Sequence, residues 1–125
     1  MCGFFGLQSF ELDKNEKIIV SKKAIKLLNT RGPDSNGIDL DDNDNLIFSH
    51  NRLSILDLSP TGNQPMLSAT GSILITFNGE IYNHLEIRYE LAKKNNFNKW
   101  NGSSDTETLL QAIEIWGLDK TLEKV

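Results

Sequence analysis

The chain of 125 residues has one cysteine, two histidines and three prolines. A single cysteine excludes a disulfide within the chain and suits a reducing compartment. One thiol and two imidazoles cannot assemble a typical zinc site without several carboxylates, so no metal is expected. No stretch approaches the ~18 apolar residues of a membrane span. The first ten residues lack the basic start and apolar centre of a secretory signal. Positive charge is also scarce, with 13 Lys and Arg against 17 Asp and Glu and a net charge of −4. No basic patch marks a nucleic-acid partner. These absences predict a cytoplasmic chain that binds neither membrane nor nucleic acid. Its length suffices for one domain with a modest core.

The lone cysteine stands at position two. Initiator methionine is commonly removed before a small residue, and removal of Met1 would leave Cys2 with a free α-amine beside its own thiol. An α-amine titrates near ~8 and a thiol near ~8.5, so the amine is well matched to accept the thiol proton. Such an amine–nucleophile pair is a known means of activating a terminal residue. Taken alone, a solitary cysteine at this position is more often a small buried apolar residue than a nucleophile. A Cys–His pairing with His50 or His84 is a further reading that spacing leaves open.

Along the chain, Gly3 to Leu7 is apolar and predicts a buried strand with Cys2 at its mouth. Glu11 to Lys17 is polar and predicts a loop. Val20, Ala24, Leu27 and Leu28 fall on one helical face, ending before Arg31-Gly32-Pro33-Asp34. Gly37–Leu40 and Leu46–His50 predict two strands joined by the acidic run 41–45. Ser59 to Pro65 is rich in turn residues. Ile73, Ile75 and Phe77 alternate as a half-buried strand running into Asn78-Gly79, a tight-turn signal. A helix follows, with Asn83 as N-cap and Leu85, Tyr89 and Ala92 on one face. Asn95 to Gly102 leaves room for a short strand. Ser104-Asp105-Thr106-Glu107 is a capping-box pattern, after which Leu109, Ile113 and Trp116 share a helical face that stops at Gly117. The mixture of strands and helices, without regular βαβ alternation, predicts an α+β fold.

Five segments carry a resemblance when taken in register. They are Met1-Cys2-Gly3 with Phe5-Gly6; Arg31 to Asp34; His50 to Ile55 with Asp57; Asn78 to His84; and Ser104 to Glu107. In this order and spacing they resemble the N-terminal glutaminase domain of glutamine-hydrolysing asparagine synthetases. That domain is a class II glutamine amidotransferase of the N-terminal-nucleophile hydrolase type. The resemblance spans nearly the whole chain, so residues 1–125 are expected to form one such domain.

The resemblance implies an αββα sandwich of mostly antiparallel sheets, incomplete at this length. It further implies a fragment of a longer enzyme whose synthetase domain, absent here, uses ATP and Mg to convert aspartate to asparagine. No cofactor is implied for the glutaminase domain itself, and glutamine is the implied substrate. Cys2 matches the nucleophile. Asn78 and Gly79 match the donors to the oxyanion, although locally they also make a turn. Arg52 matches the partner of the substrate α-carboxylate, for which a guanidinium fork is suited. Its apolar neighbours set it apart from an ordinary surface arginine. The backbone of Arg52, Leu53, Ser54, Ile55 and Leu56 is implied to line the pocket. Glu80 and Asp105 match the acids facing the α-ammonium, although Asp105 also suits the first turn of a helix. The resemblance leaves open a different ammonia acceptor or a catalytically inert chain. Oligomeric state is not indicated.

Overall fold

The computed structural model describes residues 1–41 and 43–125. Its elements in order are β1 (Gly3–Gln8), α1 (Lys14–Leu28), β2 (Ser35–Leu40), β3 (Leu46–Arg52), a 3-10 turn (Pro60–Gly62), β4 (Met66–Leu67), β5 (Leu74–Ile75), α2 (His84–Asn95), α3 (Asp105–Trp116) and α4 (Leu118–Leu122). The chain is therefore α+β. β1, β3 and β2 form an antiparallel sheet with β3 central, and β4 pairs antiparallel with β5. These two small sheets do not close into a four-layer sandwich. Asp42, in the loop expected between β2 and β3, lies outside the described residues.

Successive side chains on a strand alternate faces. On β3 this sends Ile47, Ser49 and Asn51 one way and Phe48, His50 and Arg52 the other. α1 lies against the first face, where Leu28 and Arg31 crowd the Cα of Gly3. The second face meets the segment after β5, because His50 Nε2 lies 3.2 Å from the Phe77 carbonyl. A second core gathers Ile81, Ile87, Leu91, Leu109 and Ala112, with Ile75, Phe77 and Trp100 packed against it. It joins α2, α3 and the strand that leads into Asn78. Each fully buried aliphatic side chain there contributes roughly 1.5–3 kcal/mol.

Local chemistry moves several boundaries. α1 starts at Lys14, inside the stretch expected to be loop, because Asp13 and Glu16 make a reciprocal capping box. Its inward residues are Lys17 and Ser21, whereas Leu27 is 83% exposed. In α2 the buried residues are Ile87 and Leu91, while the expected Leu85 and Tyr89 face solvent. Asn83 occupies the N-cap position without a capping bond, and its amide instead donates to the Lys124 carbonyl at 2.6 Å. β5 covers only Leu74–Ile75 of the alternating segment. Asn78-Gly79 is not a hairpin turn: among the described residues the positive-φ positions are Asp44, Asn96, Gly71 and Gly117. No strand forms between Asn95 and Gly102 among the described residues. α3 begins where the capping pattern placed it, and Ser104 accepts from the Glu107 N–H at 3.2 Å. Gly117, at φ 85°, closes it, and α4 follows at once.

Candidate active site

The ends of these elements meet at a cavity of about 350 Å³. β1 brings Met1 and Cys2 to it. The end of β3 and the loop after it bring Arg52, Leu53, Ile55, Leu56 and Asp57. Gly62 and Gln64 line it from the turn-rich loop, Phe77 to Glu80 and Tyr82 from the chain after β5, and Ser104 to Thr106 from the start of α3. Of the ten residues singled out in the sequence, Cys2, Arg52, Leu53, Ile55, Leu56, Asn78, Gly79, Glu80 and Asp105 thus share one cavity. Ser54 does not. It lines a neighbouring depression with Asp34 and Asn63, and its N–H donates to the Asp34 carboxylate at 2.7 Å.

Cys2 is half-buried. Its sulfur accepts the Leu53 N–H at 3.3 Å and points its own S–H at the Leu53 carbonyl, 3.6 Å away. Arg31 Nε donates to the Cys2 carbonyl at 3.0 Å, fixing the backbone beside the thiol. Arg31 to Asp34 therefore acts as a corner: the Asp34 N–H also donates to the Arg52 carbonyl at 3.0 Å, so both strand ends that carry the site are held together. With Met1 attached, the nitrogen of Cys2 is an amide and has no basic character.

Arg52 is 7% exposed and deeply engaged. Nη1 donates to the Ser59 carbonyl at 2.9 Å and to Asn63 Oδ1 at 3.1 Å, and Nη2 donates to the Asp57 carbonyl. A guanidinium has five N–H groups. These bonds leave two of them without a partner among the described residues. Gly62 makes room for the group, since a Cβ there would overlap Nη2.

Asn78 and Gly79 differ from their neighbours in what they lack. Among the described residues, neither the Asn78 side-chain amide nor the Gly79 N–H has a protein hydrogen-bond partner. A Cβ on Gly79 would strike the Phe77 ring, so glycine is the residue that lets the chain bend here. Asp105 is 7% exposed, and its two oxygens accept the Ile81 N–H at 2.9 Å and the Thr106 N–H at 2.8 Å. Glu80 is exposed on the rim.

Three supporting groups gave little or no sign in the sequence. Asp57 accepts from the Ser59 N–H at 2.9 Å, Ser59 Oγ at 2.6 Å, Thr61 Oγ1 at 3.2 Å and the Ser103 N–H at 2.8 Å. The Ser59 hydroxyl and the Ser103 N–H, against the opposing effect of burial, hold its carboxyl far below the usual carboxylate range. Arg88 donates to Thr108 Oγ1, to the Gly102 and Ser104 carbonyls and to Glu107 at 2.7–3.2 Å, and lies 4.0 Å over the Trp100 ring. Glu107 in turn accepts the Asn101 and Gly102 N–H groups at 2.7 and 3.0 Å, in place of closing the capping box. Gln64 spans from Phe77 to Thr106. The partners that tie them to the rest of the site, Ser103 for Asp57, Thr108 for Arg88 and Phe77 and Thr106 for Gln64, lie 13 to 46 positions away, where no local pattern points.

Neither His50 nor His84 lines the cavity. Burial lowers the pKa of His50, with the Arg52 charge adding to it and the Phe77 carbonyl opposing. Among the described residues no three His, Cys, Asp or Glu side chains are placed to hold a metal ion. No helix among them is long and apolar enough to cross a membrane.

The model of a glutamine amidotransferase domain matches residues 1–125. Asparagine synthetase B [glutamine-hydrolyzing] of Escherichia coli is 37% identical over 94% of this chain and 20% of its own length. Asparagine synthetase [glutamine-hydrolyzing] 1 of Bacillus subtilis is 40% identical over 88% of this chain and 17% of its own. A protein named Amidase chry2, from Gibberella zeae, is 35% identical over 85% of this chain and 15% of its own. The chain thus spans a fifth or less of the length of these relatives. On the match over its full described length, the chain belongs to the glutamine amidotransferase domain family.

Proposed function

We propose that this domain hydrolyses the side-chain amide of glutamine, with Cys2 as nucleophile once Met1 has been removed. The observation that carries the proposal is the single cavity shared by the Cys2 thiol, the Arg52 guanidinium, the unpartnered donors of Asn78 and Gly79, and the Asp105 carboxylate. The family match and the glutamine-hydrolysing relatives support it.

Each step has a group to perform it. The bared α-amine of Cys2 takes the thiol proton, and the Leu53 N–H steadies the thiolate through its bond to sulfur. The sulfur attacks the amide carbon. Negative charge moves to the amide oxygen, where Asn78 Nδ2 and the Gly79 N–H receive it; such a donor is worth about 3–4 kcal/mol of barrier. The proton held by the amine passes to the leaving nitrogen, which departs as ammonia and leaves a glutamyl thioester on Cys2. Water then attacks the thioester, its proton returns through the amine, and glutamate is released. The two spare N–H groups of Arg52 receive the substrate α-carboxylate. Asp105, with Glu80 at the rim, receives the α-ammonium, and Leu53, Ile55 and Leu56 form the wall beside the side chain.

The finer reading concerns the whole protein. The domain adopts the N-terminal-nucleophile sandwich, a reading supported by the two antiparallel sheets and the helices packed against them. Its ammonia serves ATP- and Mg-dependent conversion of aspartate to asparagine in a synthetase domain outside residues 1–125. Nothing within these residues is assigned to ATP or Mg. The relative named an amidase favours a second reading, in which the same half-reaction serves a different acceptor.

The test is glutamate release from glutamine by the full chain, alongside Cys2→Ala. Release that disappears in the variant supports the proposal. Release unaffected by Cys2→Ala overturns it.

A further inference from the structure

The oxyanion donors proposed above sit on a short segment with no regular secondary structure. Asn78 and Gly79 follow β5 after Thr76 and Phe77, and the next helix begins only at His84. A donor that contributes electrostatic stabilisation must be held in place before the charge develops. Regular backbone pairing does not hold this segment, so other groups must.

The groups converge on one residue, Phe77. Its N–H donates to Gln64 Oε1 at 2.6 Å. Its carbonyl accepts from His50 Nε2 at 3.2 Å. Its ring packs beneath Gly79, where a Cβ would overlap it, and joins the core that includes Leu109. Gln64 is itself anchored, because its Nε2 donates to Thr106 Oγ1 at 3.2 Å. His50 is wholly buried on the central strand of the larger sheet, and its Nδ1 has no partner among the described residues. That arrangement fixes the tautomer. The Phe77 carbonyl requires a donor, so the proton sits on Nε2 and Nδ1 is bare.

We infer that His50 and Gln64 are positioning residues for the oxyanion donors: between them they hold both backbone polar groups of Phe77 and so set where Asn78 Nδ2 and the Gly79 N–H point. This deepens the glutaminase reading and rests on it. The grip also links the donors to the rest of the site. β3 carries both His50 and Arg52, and the Gln64 amide reaches Thr106, next to Asp105. The donors are thereby referenced to the two elements that hold the ends of the substrate.

The reading assigns His50 no role as a base. Its Nε2 is committed to the Phe77 carbonyl, and it does not line the cavity. A Cys–His hydrolase is therefore an outcome the test separates.

The experiment is steady-state glutaminase kinetics on the full chain, with rescue variants. Gln64→Leu and His50→Leu each remove one side of the grip. Gln64→Glu keeps the acceptor for the Phe77 N–H, and His50→Gln keeps a donor at the position of Nε2. A misplacement of about 1 Å at a reacting centre can cost on the order of 100-fold. The leucine variants are expected to lose about 10- to 100-fold in kcat, with KM changed by less than about threefold. The conservative variants are expected to recover most of that loss. Alkylation of Cys2 by iodoacetamide needs no oxyanion donor, so its rate should match the parent chain in all four. Backbone hydrogen exchange at Phe77 should quicken in Gln64→Leu and remain slow in Gln64→Glu.

Unchanged kcat in both leucine variants overturns the inference, as does a rise in KM at constant kcat. Loss of activity in His50→Gln as severe as in Cys2→Ala also overturns it and favours a histidine base. If a leucine variant unfolds, the glutamate and glutamine variants decide: wild-type activity with slow Phe77 exchange supports the inference, and collapse of kcat in both overturns it. A parent chain that leaves glutamine intact defeats the glutaminase reading and this inference together, whereas an active parent with indifferent variants defeats this inference alone.

Discussion

Asp57 shows how much of the site depends on a residue that is itself assigned no contact with the substrate. Four donors converge on its carboxylate and join the loop after β3 to the loop before α3. Hydrogen bonds to a charged group are worth about 1.5–3 kcal/mol, so Asp57→Asn is expected to lower unfolding stability by about that amount in chemical denaturation. The sign of the pH effect follows from the depressed pKa. The ionised form is favoured by folding, so its contribution is complete above the unfolded value of about 3.9 and is lost as pH falls toward the folded value. Thermal melts of the parent chain should therefore weaken more between pH 5 and 2 than those of Asp57→Asn, these limits being on the order of the linkage range. Equal slopes would contradict it. Asn78→Ala belongs to the same scale. It should lower kcat by about 100- to 1,000-fold while KM stays nearly constant.

Single residues of the site were more legible in the sequence than their supports. Cys2, Asn78-Gly79 and Asp105 belong to short contiguous segments whose residue types already suggest chemistry. Asp57 follows the segment that carries Arg52, and Gln64 falls in the turn-rich run after it, but their roles depend on Phe77, Thr106 and Ser103. Those partners are 13, 42 and 46 positions away.

At the level of elements, α3 is the part around which the site is arranged. Residues 105–112 of α3 are all buried, including Asp105 and Glu107. The Arg88–Glu107 pair, with side chains 15% and 4% exposed, holds the preceding loop against it. Removing one member of such a pair leaves the other charge without compensation and costs about 3–5 kcal/mol. Glu107→Ala is therefore expected to destabilise by roughly this amount, measured by urea unfolding. It should also raise the KM for glutamine if Asp105 holds the α-ammonium. Leu91→Ala, in the core beneath, should cost about 2–5 kcal/mol without a selective effect on KM.

Helix faces were the least legible feature. Leu85 and Tyr89 have the right spacing for an inward stripe, as do Ile87 and Leu91, and only tertiary packing chooses between them. α1 makes the same point with Lys17, which turns inward to donate to the Asp44 carbonyl while Leu27 remains outside. By contrast, the start of α3 was legible, because Ser104 caps it locally; the Asp13 cap of α1 is equally local but falls in the polar stretch read as loop. The strands β2 and β3 were also visible, and Ile47 to His50 of the central β3 pairs in continuous register with both neighbours.

For the molecule as a whole, the central claim is that the chain becomes a nucleophile by losing its first residue. Met1 is 76% exposed at the mouth of the cavity, so its removal requires no change in the folded core. Intact-mass spectrometry after reaction with a diazoketone analogue of glutamine tests this most directly. The account predicts a chain that lacks Met1 and carries one adduct, mapped to Cys2 and suppressed by free glutamine. A chain that keeps Met1 and takes no adduct, or one whose labelling glutamine leaves unchanged, would contradict it.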